Sequence, residues 1–180
     1  MKNVFKIMSA VVLTSLIFVG CNKVKSLADV TFDTTFKSDL NCVVPPASTR
    51  EIDGTFSASS VIDPASDPDV AEYLDNITDY EILSMTGTIT SVSVDNANLL
   101  SSTANVYNSS YNASWQFANV PLTVGTVLNF GNENGQWTTV DQILMTGQVF
   151  TVSLEGETDE DDITFTVQLA IETQITANPL

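Results

Sequence analysis

The run from Val30 to Val44 constrains the fold of this chain most. Val30, Phe32, Thr34, Phe36, Leu40, Cys42 and Val44 occupy even positions, while Thr31, Asp33, Thr35, Lys37, Asp39 and Asn41 occupy odd ones. Successive side chains of an extended strand point to opposite faces, so this alternation buries one face and wets the other. Such a pattern suits an antiparallel strand with one solvated side. Pro45-Pro46 ends the run, because proline has no N–H to give to a ladder.

Similar patterning recurs along the chain. Residues 55–62 place Phe56, Ala58 and Ile62 on one side. Ile82 and the stretch 86–94 are rich in β-branched residues, which favour strands. Their parity slips between Leu83, Met85, Ile89 and Val92, Val94, predicting a bulge near Gly87 or Ser91. Residues 95–98 read as a turn, with further strands expected over 104–107, 113–120 and 122–130. Phe150, Val152 and Leu154 alternate, as do Ile163, Phe165, Val167, Leu169 and Ile171, which predicts a long hairpin with an acidic tip.

One helix is expected near 68–77. Ser66 or Asp67 can cap it, Pro68 suits an early helical position, and Val70, Tyr73, Leu74 and Ile77 follow helical spacing. Residues 131–135 read as a loop, while 138–145 fit either a short helix or an irregular crossover. The expected fold is all-β, an antiparallel β-sandwich with an immunoglobulin-like arrangement as one option, in a single domain over 29–180.

Charge and residue usage exclude several functions. The chain holds 22 acidic and 6 basic residues, a net charge of −16. Such a surface repels phosphate backbones, so no nucleic-acid partner is expected. Histidine is absent. That removes the usual general base, the usual zinc ligand and every Ser-His or Cys-His catalytic pair.

The N-terminus carries an address. Lys2 and Lys6 precede the apolar run from Ile7 to Val19, followed by Gly20-Cys21. A basic start, an apolar stretch and a small residue are the parts of a secretory signal. The apolar stretch is shorter than the roughly 20 residues of a membrane-spanning helix. Phe18-Val19-Gly20-Cys21 resembles the signal of bacterial lipoproteins. The resemblance implies a helical signal peptide over 1–20, cleavage before Cys21 and acylation of that cysteine. Residues 21–28 would then be a tether to the membrane. Cleavage removes two lysines and no acid, leaving 4 basic and 22 acidic residues and a net charge of −18. Membrane attachment then comes from the acyl chains, and Cys42 has no partner for an intrachain disulfide.

Beyond the signal, the Thr/Ser/Asn-rich strands and acidic surface resemble uncharacterised β-sandwich lipoproteins of Bacteroidota, a likeness that implies no activity. Asn22 stands where an aspartate marks inner-membrane retention in other lipoproteins, so the outer membrane is the expected location. No acidic cluster of the kind that resembles a surface-export signal follows Cys21.

Three constellations are candidates for chemistry. Glu157, Asp159 and Asp161 alternate within an acidic run and offer hard oxygens to Ca2+, although no glycine interrupts the run as in an EF-hand. The bland alternative is a solvated tip that blocks edge-to-edge aggregation. Tyr107, Tyr111, Trp115 and Phe117 share parity among polar neighbours, so an extended backbone would align four rings for stacking on sugars. A turn at 108–110 would break that parity and send Trp115 and Phe117 to the core. Trp137, beyond the 131–135 loop, is the better candidate for an exposed aromatic, and Tyr107, Tyr111 and Trp137 are the candidate ligand-binding residues. A second acidic concentration (Asp63, Asp67, Asp69, Glu72, Asp75, Asp79) is accounted for by helix capping and a wet helix face, with a cation shared between loop and helix as the alternative.

The expected function is a lipid-anchored envelope protein with a structural or binding role toward carbohydrate or protein. No catalytic group stands out. A carboxylate-dependent hydrolase, which needs two acids about 5–10 Å apart, and a calcium-binding adhesion module are the alternatives.

Overall fold

A computed structural model describes residues 29–47 and 54–178. The expected signal peptide (1–20), Cys21 and the tether (21–28) lie outside the described residues. Among the described residues eight strands are present: β1 (Val30–Val44), β2 (Thr55–Ile62), β3 (Ile77–Val92), β4 (Asn98–Tyr107), β5 (Asn112–Pro121), β6 (Val127–Asn129), β7 (Phe150–Thr158) and β8 (Ile163–Ala177). Two short helices join them, α1 (Pro68–Tyr73) and α2 (Gln136–Met145).

The strands form two four-stranded antiparallel sheets packed face to face. One has the order β1-β8-β3-β6 and the other β2-β7-β4-β5. Pairing is nested: β1 with β8, β2 with β7, β3 with β6, and β4 with β5. This is the strand order of a jelly roll, one of the ways an antiparallel chain limits its free edges. The sandwich is as expected, but the immunoglobulin-like option gives way, because in that fold the first two strands share a sheet. The hairpin expected from the last two strands is also absent. β7 and β8 lie in different sheets, and the acidic run bridges them. Period-two alternation fixes which face a strand buries but not which neighbour it pairs with.

Both sheets bury their apolar faces in one core. Phe150, Phe165, Ile89, Leu99, Leu154, Ile171 and Ile175 are among its buried side chains. Phe56 of β2 meets Phe165 of β8 edge-on across the sheets, with ring centroids 5.0 Å apart. Phe130 takes Trp115 at 5.2 Å and Phe117 at 5.1 Å in the same manner. Edge-to-face pairs add about 0.5–1.5 kcal/mol each beyond area burial, so these rings lock the two layers in register. Cys42 is buried and its thiol donates weakly to the Leu40 carbonyl at 3.7 Å.

α1 starts as expected. Asp67 Oδ1 accepts from the N–H groups of Asp69 (2.9 Å) and Val70 (3.4 Å), and Pro68 occupies the first helical position. The helix then stops at Tyr73, followed by a 3₁₀ turn over Leu74–Asn76, and Ile77 already belongs to β3. Pairing of Ile77 with Ala177 outweighs its helical spacing. The segment 138–145, which fitted either a short helix or a crossover, is helical and belongs to α2. Val140, Ile143 and Leu144 form its buried stripe.

α2 also completes a sheet. The β6 ladder covers β3 at Thr86–Thr88, with flanking backbone bonds at Met85 and Ile89, and no strand covers the edge on the Ile77 side of these. α2 packs against β3 there, and the Asp141 carboxylate accepts the N–H of Ile82. A covered edge cannot recruit a foreign strand. β3 bends at register shifts next to Ile77, Ile82 and Ile89. The last matches the bulge expected near Ser91, whereas the ladder runs unbroken through Gly87. The strand expected over 122–130 shrinks to β6, with Leu122 buried in the preceding loop.

Candidate functional site

The outward faces of the two sheets differ in how their polar groups are used. On the β1-β8-β3 sheet, side chains are tied to one another across strands. Thr166 donates to Asn41 at 3.1 Å, Gln168 to Asp39 at 3.0 Å, Gln174 to Asp33 at 3.0 Å and Ser84 to Glu172 at 2.7 Å. The β2-β7-β4-β5 sheet presents a grid instead. One row holds Ser57, Glu155, Thr103 and Gln116, and the next holds Ser59, Ser153, Asn105 and Ser114. Among the described residues, none of these eight side chains makes a hydrogen bond. The hydroxyls and amides therefore keep their donors and acceptors for solvent or a ligand.

Two depressions follow β4 on this face, and a third, of about 600 Å³, opens at its β5 edge beside Ser114, Gln116 and Glu133. One, of about 370 Å³, is lined by Ser101, Ser102, Thr103, Gln116, Phe117, Ala118, Glu155 and Gly156. The other, of about 390 Å³, is lined by Asn105, Tyr107, Asn108, Asn112, Ser153 and Glu155. Glu155 borders both. The face is short of bulk because most of its outward positions carry small side chains, such as Ser101, Thr103, Ala118 and Ser153. It holds Glu155 and Glu157 as its charged groups, and among the described residues no cation.

The expected aromatic set is not one site. Tyr107 is 38% exposed and Tyr111 39%, but they border different depressions. The Asn108 side chain accepts from the N–H groups of Ser110 and Tyr111, both at 2.9 Å, and turns the chain between β4 and β5. That turn breaks the parity of the four rings, so Trp115 is buried and Phe117 packs on the core. Tyr111 borders an opening with Thr138, Gln142 and Met145. Trp137 is only partly exposed, because its Nε1–H donates to the Phe130 carbonyl at 2.7 Å and its ring packs on the core.

The acidic run is a fastening. Asp159 Oδ1 accepts the backbone N–H of Asn98 at 2.6 Å, and Oδ2 accepts its Nδ2–H at 2.7 Å. Asp161 Oδ1 accepts the Gly54 N–H at 2.7 Å. Thr158 Oγ1 is within bonding distance of the carbonyls of Gly54 and Glu160. The calcium expectation for Glu157, Asp159 and Asp161 finds no convergent ligand set. Asp159 and Asp161 turn to different strands, Glu157 lies out on the sheet face, and no metal-sized group of acids occurs among the described residues.

No protein-family model and no curated protein matches this chain.

A second cleft, of about 330 Å³, holds Asp79, Glu81, Asn132, Trp137, Thr138 and Asp141. Burial first, then the charge of Asp79, pushes the Asp141 carboxyl up to about 6, against the pull of the Ile82 N–H. Its Oδ1 is buried without a partner. Elsewhere, the Tyr80 hydroxyl is buried and unpartnered, and burial together with Asp67 raises it to about 12.

Sequence reasoning missed the open grid. Its signal was present as polar, mostly uncharged side chains on the outward positions of four strands. The face becomes visible only when β7 is known to sit between β2 and β4.

Proposed function

We propose that this protein is a lipid-anchored component of a bacterial cell envelope, held through Cys21, whose jelly-roll domain binds carbohydrate without catalysis. The observation that supports this reading is the unlinked face of the β2-β7-β4-β5 sheet. Sugar hydroxyls need many donors and acceptors in fixed positions, and this face supplies them on rigid strands. Jelly rolls include lectin domains, which is an analogy of fold and weaker than the chemistry of the face. The anchor reading rests on the sequence Phe18-Val19-Gly20-Cys21, with the outer membrane as the proposed location.

Two measurements test the proposal. Radiolabelled fatty acid should enter the wild-type protein and not Cys21→Ser, which should leave the membrane fraction. A Cys21→Ser protein that stays in the membrane fraction refutes the anchor. For binding, the detergent-solubilised protein should be retarded in gels cast with a neutral polysaccharide. Thr103→Arg, which fills the face, should run freely, and indifference to every neutral polysaccharide in a broad panel refutes the carbohydrate role.

A carboxylate-dependent hydrolase is the second reading, favoured by one observation. Asp141 combines a raised pKa with a cleft position beside Asp79 and Glu81, as acid catalysts do. Hydrolysis of a glycan abolished by Asp141→Asn would establish it.

A further inference from the structure

We infer that the open sheet face is an extended site with two subsites, which takes a linear neutral oligosaccharide lying along β4. The inference rests on the carbohydrate reading above and adds the shape and charge of the ligand. The two depressions follow one another along β4, the first beside Ser101 and Thr103, the second beside Asn105 and Tyr107. From Ser101 to Tyr107 the strand rises about 20 Å at roughly 3.4 Å per residue, which suits a short chain of sugar rings better than one ring.

Glu155 divides the two subsites and belongs to both. An ionised carboxylate only accepts hydrogen bonds, so it takes hydroxyl donors from the rings on either side of it. Charge-assisted bonds of this kind are stronger than those between neutral groups. Thr103 and Gln116 serve the first subsite. Tyr107 ends the second and offers an exposed ring face for stacking.

Charge sets the class of sugar. Lys37 lies on the outward face of the opposite sheet, paired in register with Ala170. Among the described residues no cation borders either depression, while Glu155 and the neighbouring Glu157 are both acidic. Phosphorylated, sulfated and uronic chains are repelled from such a face, and neutral chains meet only a single acceptor charge in the middle.

The test uses the full-length protein in detergent and isothermal titration. The probes are mono- to hexasaccharides of the cello-, manno-, xylo- and malto- series, with oligogalacturonides as the anionic comparison. In the series that binds, affinity should rise about tenfold or more from di- to tetrasaccharide and then level off. Tyr107→Ala should bring the tetrasaccharide down about three- to tenfold, the range of one aromatic contact, with unchanged melting. Glu155→Gln should weaken every length. Affinity independent of length, an unaffected Tyr107→Ala, or equally tight oligogalacturonide binding overturns the extended neutral site while leaving carbohydrate binding intact. Failure of all four neutral series to bind overturns the carbohydrate reading and this inference with it.

Discussion

Asp159 holds Asn98 at both ends of that residue, accepting its backbone N–H at 2.6 Å and its side-chain amide at 2.7 Å. The Asp159 N–H returns a bond to the Asn98 carbonyl at 3.0 Å. The contact extends the β4–β7 ladder past Leu99 and Thr158 and fixes the bridge between the sheets. These bonds hold the Asp159 carboxyl below its usual range. A depressed carboxyl contributes stability above its unfolded pKa of about 3.9 and loses it as pH falls through the folded value. Asp159→Ala should therefore melt a few degrees lower at pH 7, with the gap closing in acid. An equal gap at pH 7 and at pH 2 would show that the carboxylate bonds are not its source.

Asp141 works in the opposite direction. Its carboxyl is raised to about 6 by burial and by Asp79 and Glu81 on β3, so the charged form is disfavoured in the fold. The domain should gain stability as pH falls from above 6 toward 4, and lose it again on the way up. Asparagine can still accept the Ile82 N–H without carrying charge. Asp141→Asn should be more stable at pH 8 by about 1 kcal/mol, allowing for solvent screening of a half-exposed group, and indistinguishable at pH 4. Urea unfolding at the two pH values decides it, and a variant less stable at pH 8 would contradict the account.

Gly156 faces Ser102 across the β4–β7 ladder, and a Cβ there would come within 2.8 Å of the Ser102 Cα and Cβ. Gly156→Ala should cost about 1–3 kcal/mol through overpacking. Ser102 poses the reverse case, because its hydroxyl is buried without a partner. Ser102→Ala removes an unsatisfied group and should be neutral or stabilising by up to about 1 kcal/mol. Chemical denaturation of both variants measures the contrast. A tolerated Gly156→Ala would mean that β4 and β7 separate more easily than their ladder implies.

Burial pushes the Cys42 thiol up to about 12, and the thiolate is the reactive form. In a Cys21→Ser background, a thiol-reactive dye at pH 8 should leave the native protein unlabelled and modify it fully in guanidinium chloride. Rapid native labelling would place Cys42 at the surface.

The strands themselves were legible because β1, β2, β5, β7 and β8 each bury one face, and burial on one face writes period two into the residues. Their partners were not legible. Ile163 to Ile171 alternates the same way whether it returns along β7 or crosses the core to lie between β1 and β3. The Asp67 cap of α1 could be read locally, but the end of that helix depends on a pairing with Ala177, a hundred residues away. Val140, Ile143 and Leu144 did carry helical spacing, yet a short apolar stripe fits other structures equally well. Of the aromatics named from the sequence, Tyr107 and Tyr111 are exposed, while Trp137, the better candidate there for an exposed ring, packs on the core; on the outward face, Thr103, Gln116 and Glu155 looked ordinary. Nothing in their own neighbourhoods marks them, and only the strand order brings them side by side.

The nested pairing sets an order of events for the newly made chain. Val30 pairs with Ala177, and β8 lies between β1 and β3 in its sheet. A chain emerging N-terminus first presents β1 early, but its partners, Ile163 to Ala177, appear more than a hundred residues later. Contacts this distant in sequence make folding slow. Until then, the apolar side of β1 must be shielded by something other than its own sheet. Loss of the last residues of β8, up to Ala177, would shorten one of the two inner strands of that sheet and strip β1 of its partner, so chains cut within β8 should be cleared as unfolded.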